Sequence, residues 1–462
     1  MSRPIGKPRA ILQLLLLAAL VLELAMRISL AGQYGDDPEI VRRLRELKPG
    51  ESMLLPKLKH FADGQEIDGK GRSGPYARDY TNKMVYAPER QTALYCGGNH
   101  GAGRMNDVWE FHLGSNSWHR LHIADGGDHA RFKFALMFYP RMATKDPKVQ
   151  LDEKQLAEID ACQAWWKENV VLRDGNFVMR NTNAPLLVGH TWDTLMYDPV
   201  NKRLVHGTGA HCANLPWLEH RYNGTPLAEA EAAHGKRSDG TPWRRPWTFD
   251  PAAHKWSPYA HASSLPELKG MAGSLLYIAD LQKAVWYYAA QNTPGAPHVM
   301  ALWDLTNDTW EQLRPNDGAS LGKLSAIEGQ APVSEQQMVY VPTQKKIIAV
   351  LGRSTFAYDF AGNTWSKMNE TIPFDAHDAR TIFAYDDAAD VCLLNDPKGN
   401  HTAAFDSKSN EWRLLQPHGP DVPRPPYNIG KGYYDPTHKV FVVQAASAEQ
   451  MWVYRHSAAR TP

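Results

Sequence analysis

The segment Phe405-Asp406-Ser407-Lys408-Ser409-Asn410-Glu411-Trp412 contains the pattern that decides the fold of this chain. An aromatic residue is followed by Asp or His, then by five residues, then by Trp. Four further copies run from Phe111 to Trp118, from Phe249 to Trp256, from Trp303 to Trp310 and from Tyr358 to Trp365. Such a recurring pattern predicts a repeat architecture in which each copy forms one structural unit.

A tyrosine upstream of each copy sets the size of the unit. The last three of these anchor tyrosines are Tyr340, Tyr385 and Tyr434, so a unit has roughly 40–50 residues, as a propeller blade does. Tyr434 begins a last copy that reaches Tyr454 without a Trp. The full set of anchor tyrosines is Tyr86, Tyr197, Tyr277, Tyr340, Tyr385 and Tyr434.

Each unit is predicted to form four short antiparallel strands. The anchor tyrosine is followed by a turn such as Pro199-Val200-Asn201-Lys202, because Pro and Asn interrupt strands. An apolar, β-branched run such as Ile347–Val350 then forms the second strand. The two halves of the repeated pattern supply the third and fourth strands.

The predicted fold class is therefore all-β, a single propeller with six recognisable four-stranded blades. The sequence leaves a seventh blade open within the poorly patterned segments 36–79 and 122–186. Because the last unit lacks its Trp strand, an N-terminal piece from Met53 to Phe61 is predicted to complete that blade. This closes the ring and removes its exposed strand edges.

The chain resembles the kelch and galactose-oxidase-like propellers over roughly residues 80–457. Gly97-Gly98 matches their glycine pair at the end of the second strand, and the spaced Tyr and Trp match their blade pattern. Gly207-Thr208-Gly209 matches less well, and the units from Tyr277 onward lack the pair. The resemblance implies the fold of a divergent kelch-like propeller and says little about function.

Composition and the N-terminus indicate where the protein acts. The 462 residues include 51 Lys and Arg against 50 Asp and Glu, a formal charge of +1 that gives no case for nucleic-acid binding. Arg3, Lys7 and Arg9 precede an apolar stretch, and small residues follow it, as in a secretory signal peptide over 1–31. The predicted location is secreted or periplasmic, with an uncleaved membrane anchor as the alternative. No stable membrane span is expected, because Gln13 and Glu23 interrupt the apolar stretch.

The propeller is predicted to occupy 36–462, with two long insertions at about 122–187 and 213–246. Both fall between strands two and three of a blade or between blades, and these connections share one face, called here the loop-bearing face. The first insertion contains a stretch from Leu151 to Leu172 with near-helical apolar spacing. A helical insertion is therefore expected on this face, and two insertions together favour a lid or a groove wall there.

Several histidines and arginines occupy matching positions near that face. His100 and His211 each follow an anchor tyrosine at the same offset, from 86 to 100 and from 197 to 211. His190 and Tyr427 share the offset seven positions before an anchor. The set predicted to surround one mouth of the central channel is His100, Arg104, His190, His211, Arg353, His377, Arg380 and Tyr427.

A cationic cleft with His and Tyr suits β-elimination on uronic-acid-containing glycans. Arg353 or Arg380 would neutralise the substrate carboxylate, because guanidinium groups stay charged and pair bidentately. His190 and His211 are the predicted acid and base, assisted by Tyr427 or Tyr288. Trp217 and Trp243 would stack on sugar rings. In fold and residue roles the arrangement resembles the propeller polysaccharide lyases, and the predicted partner is a polysaccharide or oligosaccharide.

Three alternatives remain open at this point. The first is a non-catalytic kelch propeller that binds a glycan or a protein on the same face. The second is a copper oxidase like galactose oxidase, although no local motif for its ligands is found. The third is a metal site, since His206, His211 and Cys212 carry zinc-type donors. No cofactor is required by the predicted chemistry, and a structural Zn or Ca ion remains open, as does a Cys96–Cys212 disulfide.

Overall fold

The structure is a computed structural model. It describes residues 34–69, 74–76, 78, 81–97, 106–126, 150–173, 176–185, 188, 191, 193–207, 220, 224–234, 246–258, 273–288, 299–315, 337–368, 371–374, 376, 381–397, 399–423, 430–445 and 448–456.

The N-terminal part and the first two blades contain the helices of the described chain. In order, the elements are α1 (Pro38–Glu46), β1 (Ser52–Lys57), β2 (Lys59–Ala62), β3 (Gln65–Glu66), β4 (Val85–Ala87), β5 (Thr92–Cys96), β6 (Val108–His112), β7 (Ser117–His122), α2 (Glu153–Asn169), β8 (Val170–Arg173), β9 (Asn176–Met179), β10 (Leu195–Asp198), β11 (Arg203–His206), α3 (Leu227–His234), β12 (Trp247–Asp250) and β13 (Lys255–Pro258).

The remaining blades follow without further α-helices in the described residues. Their strands are β14 (Ser274–Ile278), β15 (Lys283–Tyr288), β16 (Val299–Asp304), β17 (Thr309–Leu313), β18 (Gln337–Val341), β19 (Lys346–Leu351), β20 (Ser354–Asp359), β21 (Thr364–Lys367), β22 (Ile382–Asp386), β23 (Val391–Asp396), β24 (His401–Asp406), β25 (Glu411–Leu415), β26 (Gly430–Asp435), β27 (Val440–Ala445) and β28 (Gln450–Tyr454).

These strands form a propeller of six blades, as predicted. Blades one to five are built from β4–β7, β10–β13, β14–β17, β18–β21 and β22–β25, and blade six from β26–β28 with β1. The first strand of each blade is the innermost, and each inner strand lies beside the inner strands of the two neighbouring blades. No seventh blade forms in the described parts of 36–79 and 122–186, which hold α1, α2 and short strands instead.

The repeated pattern is a tight hairpin between the third and fourth strands. In blade five, Phe405 and Trp412 are direct cross-strand partners with ring centroids 5.0 Å apart. Asp406 Oδ1 accepts hydrogen bonds from the backbone N–H groups of Lys408 and Ser409, which caps the turn. Asn410 takes the left-handed conformation at φ 59°, which Asn tolerates well. The same pairing of an aromatic residue with Trp recurs in blades one to four.

An N-terminal strand closes the ring, as the missing Trp strand predicted. Met53 pairs with Val453 and Leu54 with Trp452 in an antiparallel ladder between β1 and β28. The predicted piece from Met53 to Phe61 does not stay in one blade, however. Its second half, β2, pairs in parallel with β7 of blade one, where His60 lies opposite Trp118. The N-terminal segment therefore joins blade six to blade one.

The helical insertion on the loop-bearing face is also present. Helix α2 begins with a capping box between Asp152 and Gln155 and falls within the predicted stretch from Leu151 to Leu172. Its Cys162 and Trp166 are buried in the core of blades one and two, and Trp166 packs edge-to-face on Phe177. Within the described residues, no helix combines the length and the apolar character that crossing a bilayer requires.

Candidate functional site

Most of the predicted site residues lie outside the described part of the chain. Their positions therefore remain predictions: His100, Arg104, His190, His211, Trp217, Trp243, His377, Arg380 and Tyr427. Arg353 is fully described, and the backbone of Tyr288 is described as the last residue of β15.

Arg353 lies on the loop-bearing face in the turn between the second and third strands of blade four. Its backbone is fixed, because the N–H of Ile372 donates to Arg353 O at 2.9 Å. Its side chain is exposed, and Nε donates to Ile372 O at 3.3 Å. Tyr288 ends the second strand of blade three, opposite Val299. The topology thus places both residues at the same edge of neighbouring blades.

The six inner strands enclose a central channel with a cavity of about 600 Å³. Its middle is lined by apolar residues such as Leu195, Leu275, Met338 and Ile382. All six anchor tyrosines line the end away from the loop-bearing face, called here the tyrosine end. The opposite end, under the loop-bearing face, is called the polar end, and its lining residues are Asn82, Lys83, Asp193, Gln337 and Thr381.

At the tyrosine end, anchor hydroxyls reach the strand one–two turn of the preceding blade. Tyr340 of blade four donates to Asp280 Oδ2 of blade three at 2.8 Å. Tyr197 donates to Glu89 of blade one, and the Tyr86 hydroxyl bonds the Thr437 hydroxyl of blade six. Burial raises the pKa of each of these tyrosines, and the carboxylates beside them add to the shift. These residues therefore remain neutral hydrogen-bonding groups that hold adjacent blades together.

The polar end is narrowed by direct contacts between inner strands. The N–H of Leu275 donates to Asp193 O at 3.0 Å, which links blades two and three. Gly432 N donates to Asn82 O and Met84 N to Gly432 O, each at 3.1 Å, which links blades six and one.

Side-chain contacts at the same end also join the inner strands, and two of them skip a blade and cross the channel. Lys83 Nζ of blade one is 3.0 Å from Asp193 Oδ1 and donates to Leu275 O of blade three at 3.0 Å. The N–H of Met338 in blade four donates to Asp193 Oδ2 at 3.0 Å. Burial raises the pKa of Asp193, and the Lys83 charge opposes that shift. The channel is thus bridged at the polar end and accessible from the tyrosine end.

Lys431 is a buried lysine outside the set of predicted site residues. It lies on β26 at the boundary of blades six and one, is 2% exposed, and has Nζ 5.3 Å from the centre of the Tyr95 ring. Burial, with the nearby charge of Arg78, lowers the pKa of Lys431 to about 7. The position three residues before the anchor holds lysine in only one other blade, as Lys83 before Tyr86, so the repeat does not mark Lys431.

The metal alternatives remain predictions. His206 is buried at the end of β11, burial lowers its pKa to about 4, and its Nε2 has no hydrogen-bond partner. The other two donors proposed with it, His211 and Cys212, lie outside the described residues. Across the ranges that the structure describes, no group of three or more His, Cys, Asp or Glu residues is arranged to hold a metal ion.

Comparison with known proteins assigns no family to the chain. No family model matches the chain, and none of the curated proteins matches it. Among solved structures, an auxiliary nutrient binding protein from Bacteroides thetaiotaomicron VPI-5482 is similar with a TM-score of 0.44 and 7% sequence identity, covering 87% of this chain and 76% of that chain. The assignment as a propeller rests on the six sheets themselves.

Proposed function

We propose that this propeller binds uronic-acid-containing glycans on its loop-bearing face. The observation that carries the proposal is Arg353, an exposed guanidinium at the edge of the ring whose backbone and Nε are both anchored to Ile372. Anchoring leaves the terminal N–H groups to pair with a carboxylate, and a preorganised arginine loses less entropy on binding than a free one.

The activity proposed at this face is cleavage by β-elimination. A guanidinium on the uronate carboxylate would acidify the adjacent C–H. A base would then remove that proton, and an acid would protonate the leaving glycosidic oxygen. His190 and His211 are the proposed pair, with Arg380 as the second carboxylate ligand and Tyr427 or Tyr288 assisting. Tyr288 and Arg353 lie at or just beyond the ends of the second strands of two adjacent blades, which supports the proposal.

The proposed location is outside the cytoplasm, through the signal-like segment 1–31. Uronate-containing polysaccharides are extracellular polymers, so export and substrate agree. The second hypothesis is a propeller that binds glycans without cleaving them, and it uses the same loop-bearing face and the same Arg353.

One experiment separates these readings. The purified protein is incubated with a panel of uronate-containing polysaccharides while the ultraviolet absorbance of the conjugated product is followed, and binding is measured in parallel by affinity electrophoresis. Arg353→Ala should lose binding, whereas Arg413→Ala, an exposed arginine paired with Glu411 on an outer strand, should retain it. Rising absorbance that His190→Ala abolishes supports elimination. Binding with flat absorbance supports the binding module alone, and absence of both contradicts the proposal.

A further inference from the structure

The turn between the third and fourth strands of blade one departs from the repeat. In blades two to five this turn begins with an Asp whose carboxylate accepts backbone hydrogen bonds within the turn. Blade one has His112 at the same position, and within this described turn its side chain makes no capping hydrogen bond. His112 Nδ1 lies instead 2.8 Å from Ser115 Oγ. The histidine therefore does not perform the structural task of its repeat position.

Ser115 connects this histidine to open space. The serine is partly exposed and lines a cavity of about 750 Å³ beside blade one. His112 is 6% exposed, so the hydroxyl and not the imidazole is the accessible group of the pair. A hydroxyl that faces a cavity and bonds a shielded imidazole is the arrangement of a nucleophile with its base.

The carboxylate of Asp36 lies at the other nitrogen of the imidazole. Its Oδ1 is 3.6 Å from His112 Nε2, within ion-pair distance of a protonated ring. The carboxylate can approach the turn because residue 114 is glycine: a Cβ on Gly114 would lie 2.0 Å from Asp36 Oδ1. A carboxylate at this position favours the tautomer with the proton on Nε2, so that Nδ1 can accept from Ser115. It also stabilises the imidazolium that forms when the serine gives up its proton.

Further contacts hold Ser115 in place. Ser115 Oγ is 2.6 Å from Ser117 Oγ, which is 2.8 Å from His119 Nε2. The His119 ring is stacked on Tyr34 with centroids 3.6 Å apart and on Phe61 with centroids 5.1 Å apart. Ser117, His119, Tyr34 and Phe61 all line the same cavity. The serine is therefore positioned by a packed wall before any ligand arrives.

The remaining lining indicates the class of substrate. Phe61 and Pro38 give the cavity apolar surface that suits a small acyl group. Lys59 lines the same cavity, and its Nζ is 3.9 Å from Asp37 Oδ2, which is too far for a hydrogen bond. This exposed ammonium can therefore turn toward an oxyanion that develops in the cavity. An acyl group beside an aromatic ring and a carbonyl oxygen near a cation describe a short-chain carboxylic ester.

We propose that Ser115 is the nucleophile of an ester-hydrolysing site, with His112 as general base and Asp36 as the carboxylate that stabilises the imidazolium. The Ser115 oxygen bonds the ester carbonyl carbon while its proton passes to His112 Nδ1. The bond from that carbon to the alcohol oxygen then breaks, and the proton goes to the leaving alkoxide. Water attacks the acyl-serine by the same route, which returns a proton to the Ser115 oxygen and releases the carboxylic acid.

This site is separate from the one proposed for glycans. The turn between strands three and four lies at the opposite end of the blade from the connection between strands two and three, which belongs to the loop-bearing face. The proposal therefore does not depend on the function assigned to that face.

Two measurements on the full-length protein test the proposal. The first is multiple-turnover hydrolysis of 4-nitrophenyl acetate, and the second is covalent labelling by a fluorophosphonate, located by peptide mass spectrometry. Ser115→Ala removes the nucleophile, and its matched control is Ser409→Ala, the exposed serine at the same position of the turn in blade five. His112→Asp removes the base but supplies the residue that caps the turn in blades two to five, so this variant should fold.

The expected result is ester turnover and labelling at Ser115, both abolished in Ser115→Ala. His112→Asp should lower the rate of hydrolysis about 100-fold or more, which is the usual contribution of a general base. Ser409→Ala and Arg353→Ala should behave as the unmodified protein does, and melting curves verify that each variant is folded. The proposal is overturned if hydrolysis does not exceed the uncatalysed rate, if the label lies on another residue, or if His112→Asp keeps full activity. Because the glycan assays use the other face, failure of either proposal leaves the other standing.

Discussion

The hydroxyl of Tyr340 donates to Asp280 Oδ2 at 2.8 Å across the boundary between blades four and three. Tyr340 lies near the end of the inner strand of blade four, and Asp280 lies in the turn that follows the inner strand of blade three. Tyr197 and Glu89 repeat the relationship between blades two and one. Three of the six anchor tyrosines, Tyr86, Tyr197 and Tyr340, therefore use their hydroxyls to bond the preceding blade.

Removing one such hydroxyl should weaken the ring measurably. Tyr340→Phe keeps the ring packing and deletes the bond to Asp280, so we expect a loss of about 1 kcal/mol in the free energy of unfolding. Tyr277→Phe is the matched control, because among the described residues the Tyr277 hydroxyl makes no hydrogen bond. Urea unfolding measures both. Equal losses in the two variants would contradict the assignment.

Ring closure by β1 should determine whether the propeller melts as one unit. Deleting residues 50–62 exposes the edge of β28 and removes the parallel strand from blade one. We expect the cooperative thermal transition to be lost, and differential scanning calorimetry measures it. A synthetic peptide of residues 50–62, added to the deleted protein, should restore part of the transition by adding the strand back. A cooperative transition in the deleted protein without peptide would count against closure.

The buried Lys431 should make stability rise with pH above neutrality. Its pKa, about 7 when folded, lies below the value of about 10.4 in the unfolded chain, so the unfolded chain binds more protons between these values. Lys431→Met should therefore stabilise the protein by about 1–4 kcal/mol at pH 7 and below. The gain should shrink as pH rises toward 10.

Chemical unfolding at several pH values measures this difference. Lys57→Met is the control, since Lys57 is exposed and paired with Glu449 at the surface. A gain for Lys431→Met that does not change with pH would show that packing, and not the amine, sets the effect.

Glu110 should govern part of the acid sensitivity of blade one. Burial acts to raise its pKa, but Arg90, Thr92 and Tyr34 all donate to the carboxylate, and the net pKa is lowered. The unfolded chain therefore takes up a proton first as pH falls. The stabilisation is present above about pH 4.3 and is lost as pH falls through the folded pKa.

Glu110→Gln leaves the buried Arg90 without its counter-charge and should cost about 3–5 kcal/mol near neutral pH. The variant should also lose less stability on acidification than the unmodified protein. Urea unfolding between neutral and acid pH checks both statements. Glu411 is an exposed carboxylate beside Arg413, so Glu411→Gln should change neither the stability near neutral pH nor its loss on acidification. An unchanged acid response in Glu110→Gln would remove Glu110 as the cause.

The parts of the fold that were predictable depend on contacts that are local in sequence. Phe405 and Trp412 define their own hairpin, because the turn between them needs an Asp cap and a left-handed residue within a few positions. Ring closure was predictable for a different reason, since the last repeat lacked a strand. The division of the N-terminal piece between blades six and one was not predictable, because no repeated sequence pattern indicates the pairing of β2 with β7.

The polar end of the channel was not predictable in the same way. Asn82 and Thr381 lie far apart in sequence and meet only because the ring brings blades one and five together. Both lie four residues before an anchor tyrosine, but the residue type at this position differs between blades, so the repeat pattern does not indicate their contact. The predicted histidines and Arg353 remain hypotheses about a site on the loop-bearing face.

The N-terminal strands β1 and β2, which join blade six to blade one, have a consequence for biosynthesis. The partner of β1 is β28, so a ribosome must translate nearly the whole chain before the first strand can be paired. Until then, β1 lacks its partner strand, and unpaired strands of this kind template association with other chains. Vectorial folding from the N-terminus cannot complete this molecule. Closure of the ring is one late event that joins two strands far apart in sequence, β1 and β28.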